Sequence, residues 1–205
     1  MSQEAMTTRE YILHAASHEF LEKGYKEAAL REIAKQAGVT TGALYGYFKN
    51  KEELFGALVD EPYHAILNMY EALLHEFQSL SLEEQCSDMS NYTAFGMRRM
   101  TDLMYEHRTA FKLILCCSEG TIYNNLIHEM AVLDVKATHD FAETLNQVHE
   151  VSSSVNPLLE HMLTTGMFTA FFELIVHDVP REESEAYIAQ LLAFYSGGWG
   201  KIMGF

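Results

Sequence analysis

The sequence predicts an all-α protein in which a three-helix N-terminal unit is joined to a larger helical body, with about nine helices in all. Three observations predict it. Proline occurs only at 62, 157 and 180, glycine falls mostly at expected helix ends, and no run of β-branched residues alternates with period two. Hydrophobic residues make up 48% of the 205, enough to bury a sizeable core. Charged residues at 21% and aromatic residues at 12% argue against disorder.

The elements follow in order. Thr7-Thr8-Arg9-Glu10 has the form of a capping box, Ile12, Ala16 and Phe20 recur at i, i+4 and i+8, and Gly24 supplies a stop. A first helix over about 7–23 results. A second, over about 29–36, carries Leu30, Ile33 and Ala34, and Gly38 breaks it. Thr40 caps a third over about 41–47 with Ala43, Leu44 and Phe48 inward. Asn50-Lys51-Glu52-Glu53 starts a fourth with Leu54 and Leu58 on one face, and Pro62 is expected to kink or interrupt it. Apolar-periodic stretches then run over about 63–78, 88–106, 109–117, 121–149, 157–177 and 182–199. Polar breaks at 79–87, 118–120, 151–156 and 177–181 separate them.

Charge divides the chain more sharply than hydropathy does. Fourteen bases against 29 acids give a net charge of −15. Residues 1–55 hold seven bases and eight acids, so nearly all the acidity lies beyond them. An acidic body repels phosphate, and any nucleic-acid contact is confined to the near-neutral end.

The longest near-apolar run, Met167 to Val176, is interrupted by Glu173 and is too short to span a bilayer. The first residues have neither the basic nor the apolar region of a secretory signal. Three cysteines cannot all pair within one chain, and none sits in a CxxC or CxxH spacing, so a reducing cytoplasm is the expected compartment.

The informative stretch is Leu30 to Phe55. Ile33 and Ala34 are expected to pack under Leu44 and Phe48, Ala37 to let two short helices cross closely, Gly38 to permit the turn and Val39 to plug it. The third helix then presents small or polar residues outward, Thr41, Gly42 and Gly46, with Tyr45 and Tyr47 beside them. So slim an edge can enter a major groove about 12 Å wide.

Residues 9–60 resemble the DNA-binding region of the TetR/AcrR-type bacterial transcriptional regulators. The resemblance rests on Ile33-Ala34, Ala37-Gly38-Val39-Thr40, Gly42, Leu44-Tyr45, Tyr47-Phe48, Lys51-Glu52 and Leu54 in register. It implies a helix-turn-helix DNA-binding domain over 1–50 and a helical ligand-binding and dimerisation domain over 51–205. Residue by residue it implies that Arg31 reaches a base edge or phosphate and that Thr40 caps the recognition helix and touches phosphate. Thr41, Gly42 and Ala43 form the base-reading edge, Tyr45 and Tyr47 contact backbone or bases, and Lys51 meets a phosphate. The chain departs from the family at Ala28 and Ala29, where Thr or Ser usually caps the second helix, a loss of about 1 kcal/mol. Blander readings stand beside these: Arg31 paired with Glu27 or Glu32, Tyr45 and Tyr47 packed on the first helix, and Lys51 as an ordinary helix-start lysine.

The resemblance also implies a homodimer and a small-molecule effector. Met162, Thr165, Phe168 and Phe172 share one face of the penultimate helix, and Tyr187, Leu191, Phe194, Tyr195 and Trp199 one face of the last. Together they are expected to form a two-fold four-helix interface, or else intrachain core. Tyr92, Phe95, Met100, Met104, His107, Phe111, Tyr123 and His128 are the candidate lining of a largely apolar pocket with a few polar handles, ordinary core being the alternative for each. No HExxH, GxSxG, P-loop or dinucleotide motif appears, so no metal, cofactor or enzymatic activity is expected. Cys116 and Cys117 are expected to be buried thiols.

The expected function is a dimeric regulator, a repressor of a palindromic operator released by a small apolar effector. The rival is an interaction adaptor that has kept the helix-turn-helix scaffold.

Overall fold

The computed structural model describes residues 6–149 and 156–203. Among these the chain forms nine α-helices: α1 (Thr8–Glu27), α2 (Leu30–Gln36), α3 (Thr41–Tyr47), α4 (Lys51–Gln78), α5 (Leu82–Glu106), α6 (Arg108–Cys117), α7 (Leu126–His149), α8 (Pro157–Val176) and α9 (Arg181–Met203). A 3₁₀ turn over Ile122–Asn125 precedes α7. The all-α class follows directly.

Local chemistry sets the ends. Thr7 and Glu10 make a reciprocal capping box at α1. Gly24, at φ 73° and ψ 166°, breaks the helical path where a stop is expected, in a region that essentially only glycine occupies. Asn156 accepts the N–H groups of Leu158 and Leu159, and Pro157 fills the first position of α8. The rest of the break expected at 151–156 lies outside the described residues.

Three expectations about helices need correction. Pro62 does not interrupt α4, which runs unbroken from Lys51 to Gln78. Proline forfeits its N–H bond to the preceding turn and its ring crowds the carbonyl there, but buried Val59, Tyr63 and Ile66 on either side hold the helix through it. Helix α5 begins at Leu82 rather than 88, because Ser81 and Glu84 form a second capping box inside the polar stretch: Ser81 N–H donates to Glu84 Oε2 at 2.9 Å, and Glu84 N–H to Ser81 Oγ at 3.3 Å. Ala43 is exposed rather than inward.

The described residues fall into two units. Unit one comprises those before Ala65 together with His107–Asn124; unit two comprises Ala65–Glu106 and the residues from Asn125 on. In unit one Ile12, Ala16 and Phe20 of α1, Ile33 of α2, Leu44 of α3, Leu54 and Phe55 of α4 and Phe111 of α6 are fully buried. Each such large side chain contributes on the order of 1.5–3 kcal/mol. Phe20 meets Phe55 edge to face at 5.0 Å. Compactness thus groups the chain differently from a functional division at residue 50: Phe55 and Tyr123, 5.9 Å apart, join the first turns of α4 and the 3₁₀ turn to α1–α3. In unit two α7 packs along α8, and α9 against α5 and α8. Met97, Met100, Met104, Phe168, Phe171 and Phe172 fill its interior. No described helix is long and apolar enough to cross a membrane.

Candidate nucleic-acid interface

The α2–α3 pair is assembled by short-range bonds. Val39 N–H reaches Ala34 carbonyl at 2.9 Å around Gly38, whose φ of +69° favours glycine. Thr40 Oγ1 accepts Ala43 N–H at 3.1 Å, so the expected cap of α3 is present. Leu44 and Phe48 anchor the underside, and Arg9 of α1 lies over the Phe48 ring at 5.5 Å.

That anchoring turns the other edge outward. Thr40, Gly42, Ala43 and Gly46 are exposed and Thr41 is half-buried. Tyr45 and Tyr47 keep 51% and 47% of their surface, so packing on α1 does not occupy them. Arg31 is exposed on α2, and Glu32, one of its suggested partners, stands 3.7 Å from Lys35 instead. Lys23 and Lys26 are paired with Glu19 and Glu119.

Lys51 is more committed than its sequence position suggests. Its ammonium donates to the carbonyls of Lys26 and Ala28 at 2.9 and 3.1 Å and lies 4.7 Å over the Tyr25 ring. It therefore closes the C-terminal end of α1, where unsatisfied carbonyls favour a cation.

The missing cap of α2 is confirmed, since Ala29 makes no side-chain cap bond. A residue that sequence reasoning missed stands in for it: Glu19, fully buried, accepts Ala29 N–H at 3.4 Å, Lys23 Nζ at 2.7 Å and Gln36 Nε2 at 3.1 Å. Glu19 lies one position before Phe20 on the buried face of α1, and a charged residue in that register was the available signal.

The candidate pocket residues divide between the units. In unit one Phe111 is buried, His107 stands just before α6, and Tyr123 donates its hydroxyl to Asp60 at 3.0 Å. In unit two Met100 and Met104 are buried, and Tyr92 donates to the Leu73 carbonyl and to Glu76. Phe95 is exposed and stacks with Arg99, and His128 is exposed with its ring 5.8 Å from His161. Cys117 is buried, which pushes its thiol pKa up, whereas Cys116 is exposed, against expectation.

Of the candidate dimer residues, Phe168 and Phe172 are fully buried within unit two, Phe168 edge-on to Tyr70 at 5.3 Å. Tyr187 is half-buried and donates to the Ala170 carbonyl at 2.6 Å, while Leu191, Tyr195 and Trp199 are half-buried. Met162 is exposed, and Phe194 keeps 75% of its surface. Met162 and Thr165 border an open groove of 640 Å³ along α8, between His161 and Glu173. Among the described residues no group of three or more His, Cys, Asp or Glu is placed to hold a metal ion.

Residues 12–58 match the family described as bacterial regulatory proteins, tetR family. The HTH-type transcriptional regulator SrpR of Pseudomonas putida is 40% identical over 203 residues, covering 98% of this chain and 87% of its own. The regulator AcrR of Shigella flexneri is 48% identical over 56 residues, 27% of this chain and 26% of its own. Matches of this second kind, which include TtgR of Pseudomonas putida at 48% of its length, span a quarter to a half of those relatives. Among solved structures, FadR of Bacillus subtilis in complex with stearoyl-CoA superposes with a TM-score of 0.52 at 18% identity, over 89% of this chain and 97% of that one. The likeness to FadR is one of fold.

Proposed function

Since the chain belongs to the TetR family of bacterial transcriptional regulators, we propose that it is a cytoplasmic homodimeric repressor that binds a palindromic operator and is released by a small, largely apolar effector. Residues 1–50 serve as its DNA-binding domain and 51–205 as its effector and dimer domain. The observation that carries this reading is the outward edge of α3. Thr41, Gly42 and Ala43 form a slim ridge flanked by two exposed tyrosines, with Leu44 and Phe48 pinned beneath. In a major groove that ridge reads base edges, with Thr41 the direct reader, while Thr40 and Lys51 hold phosphates, Arg31 a base edge or phosphate, and Tyr45 and Tyr47 the backbone or bases.

Two copies related by a two-fold axis present two such ridges to half-sites one turn or more apart. The exposed Met162 and Phe194, with the groove along α8, are the surface we assign to the second copy. An apolar effector suits the methionine- and aromatic-rich interior of unit two, and FadR, a neighbour in fold, holds an acyl-CoA. A coupling of about 1–3 kcal/mol between effector and operator changes affinity by 5–150-fold.

The test starts with selection of genomic fragments by the purified chain, followed by titration of the selected duplex. Thr41→Ala relaxes base preference, whereas Lys51→Ala weakens all duplexes alike and lowers the salt slope by about one. Melting of both variants separates a binding loss from the loss of Lys51's bonds to α1. If neither variant changes the titration, this face is not the reader. Little salt-dependent retention on mixed duplex would favour a protein-binding adaptor instead.

A further inference from the structure

Where α7 packs on α8, unit two holds polar groups that the regulatory reading does not use. The Asp134–Glu160 pair is already served. Tyr70 donates its hydroxyl to Asp134, Thr164 bonds the same carboxylate, and His139 Nε2 lies 2.5 Å from Glu160 Oε2. Three other groups are not served. His128 of α7 and His161 of α8 make no hydrogen bond or ion pair among the described residues. Their rings meet each other instead, with centroids 5.8 Å apart and planes at 75°. Thr165 Oγ1, one turn beyond His161 on α8, is buried without a hydrogen-bond partner.

His18, His64, His139 and His177 each stand beside a carboxylate, which sets the uncommitted pair apart. Two imidazoles with free nitrogens on two packed helices suit a metal ion. On a tetrahedral metal, at metal–nitrogen distances of about 2.0–2.1 Å, two imidazole centres lie about 5 Å apart. The His128 ring is exposed, so a turn of it closes the 5.8 Å to that spacing and leaves a path from solvent. His161 and Thr165 both border the groove along α8, which puts the unpartnered hydroxyl on the open side of the pair. A buried polar atom without a partner marks a place for a water or an ion. No spacing rule reveals this pair, since only the packing of α7 on α8 brings it together.

We propose that His128 and His161 bind a divalent late transition metal of the zinc type, with water in its remaining positions and the Thr165 hydroxyl bonded to one of those waters. Imidazole nitrogen selects zinc, copper or nickel over magnesium or calcium. Two protein ligands fall short of the three or four of catalytic and structural zinc, so the ion exchanges with solvent. In the chain Asp134 lies between His128 and His139. The metal on one side and the His139–Glu160 contact on the other therefore hold α7 to α8 at both flanks of Asp134. The site belongs to unit two alone and does not depend on the regulatory reading.

The experiment is urea unfolding of the full chain with zinc chloride at about pH 7.5, where imidazole is free to bind metal, and with magnesium chloride as the control. His14→Ala is the background, because His14 and His18 stand exposed one turn apart on α1 and would hold zinc themselves. Zinc at about 100 times its dissociation constant, measured by calorimetry, should raise the folded-to-unfolded ratio about 100-fold. Hydrogen exchange should slow in α7 and α8 amides. His128→Ala and His161→Ala should each lose the gain, and Thr165→Val should need about tenfold more zinc. If His161→Ala does not fold, the exposed His128 decides. Equal stabilisation by magnesium, as a body of net charge −15 could give to any divalent cation, overturns the site. So does a zinc response that survives the loss of His128.

Discussion

Glu19 of α1, without solvent exposure, accepts the backbone N–H of Ala29 at 3.4 Å and so stands at the start of α2, where the chain offers no capping side chain. Ala29 has the backbone of an N-cap, φ −113° and ψ 121°, but only a methyl group to present. By also accepting from Gln36 at the far end of α2 and from Lys23, the buried carboxylate ties the whole short helix to α1. Ala29→Ser should therefore stabilise the chain by about 1 kcal/mol, because the new hydroxyl takes a first-turn N–H that Glu19 leaves unserved. Urea unfolding at neutral pH measures it. A destabilised serine variant would mean that α2 is already fully capped.

The same carboxylate sets an acid limit. Burial raises the pKa of Glu19, but the bond from Lys23, the Ala29 N–H, the charge of Lys23 and Gln36 outweigh it, and the net shift is downward. A lowered folded pKa contributes stability above the unfolded value of about 4.3 and loses it as pH falls through the folded one. The stability difference between the unaltered chain and Glu19→Gln should thus shrink below about pH 4. A difference unchanged between pH 7 and pH 3 would contradict the assignment.

In unit one, a methyl group added at Gly56 would meet the Tyr123 hydroxyl at 2.9 Å, while that hydroxyl donates to Asp60 one turn further along α4. Gly56→Ala must displace Tyr123, at about 1–3 kcal/mol. Tyr123→Phe loses the bond, about 1 kcal/mol, but vacates the space. The double variant should be less damaged than the sum of the two, and a double-mutant cycle by urea unfolding reads the coupling. Burial first, and then Asp60, push the Tyr123 pKa up to about 12. Its contribution is whole below the unfolded value of about 10 and lost as pH rises toward 12.

The starts of the helices of unit one were legible to within a residue or so because capping boxes and 3.6-residue periodicity fall in one register there, but α1 runs four residues past its expected end and α4 continues through Pro62. The start of α5 was not legible, because Ser81 and Glu84 lie among polar neighbours that hide a cap signal. The outward edge of α3 was readable, since Leu44 and Phe48 fix which side is buried. Lys51 was read as a phosphate ligand or an ordinary helix-start lysine, and its bonds to α1 were missed because its partners, two main-chain carbonyls of the α1 end, leave no mark on side-chain pattern. Glu19 and the Asp134–Glu160 pair escaped for a related reason. Apart from Lys23 beside Glu19, the partners of these acids lie ten or more residues away, and periodicity carries no information about them.

Phe168 and Phe194 divide the aromatic residues of α8 and α9 by physical role. Phe168 has no exposed surface and contacts Tyr70, so Phe168→Ala opens a cavity in unit two and should cost about 3–5 kcal/mol. Phe194 keeps 75% of its area, its ring touching that of Tyr195, so Phe194→Glu removes little from the fold of one chain, within about 0.5 kcal/mol. If a second copy covers this face, the added carboxylates desolvate on association, and buried like charges oppose it. Sedimentation should then show Phe194→Glu as a folded monomer under conditions where the unaltered chain is dimeric. Its helical circular dichroism should match the unaltered chain, and retention on operator duplex should drop with the lost second reader. A Phe194→Glu chain that stays dimeric would move the interface away from α9, and with it the spacing of the two α3 ridges that a palindrome requires.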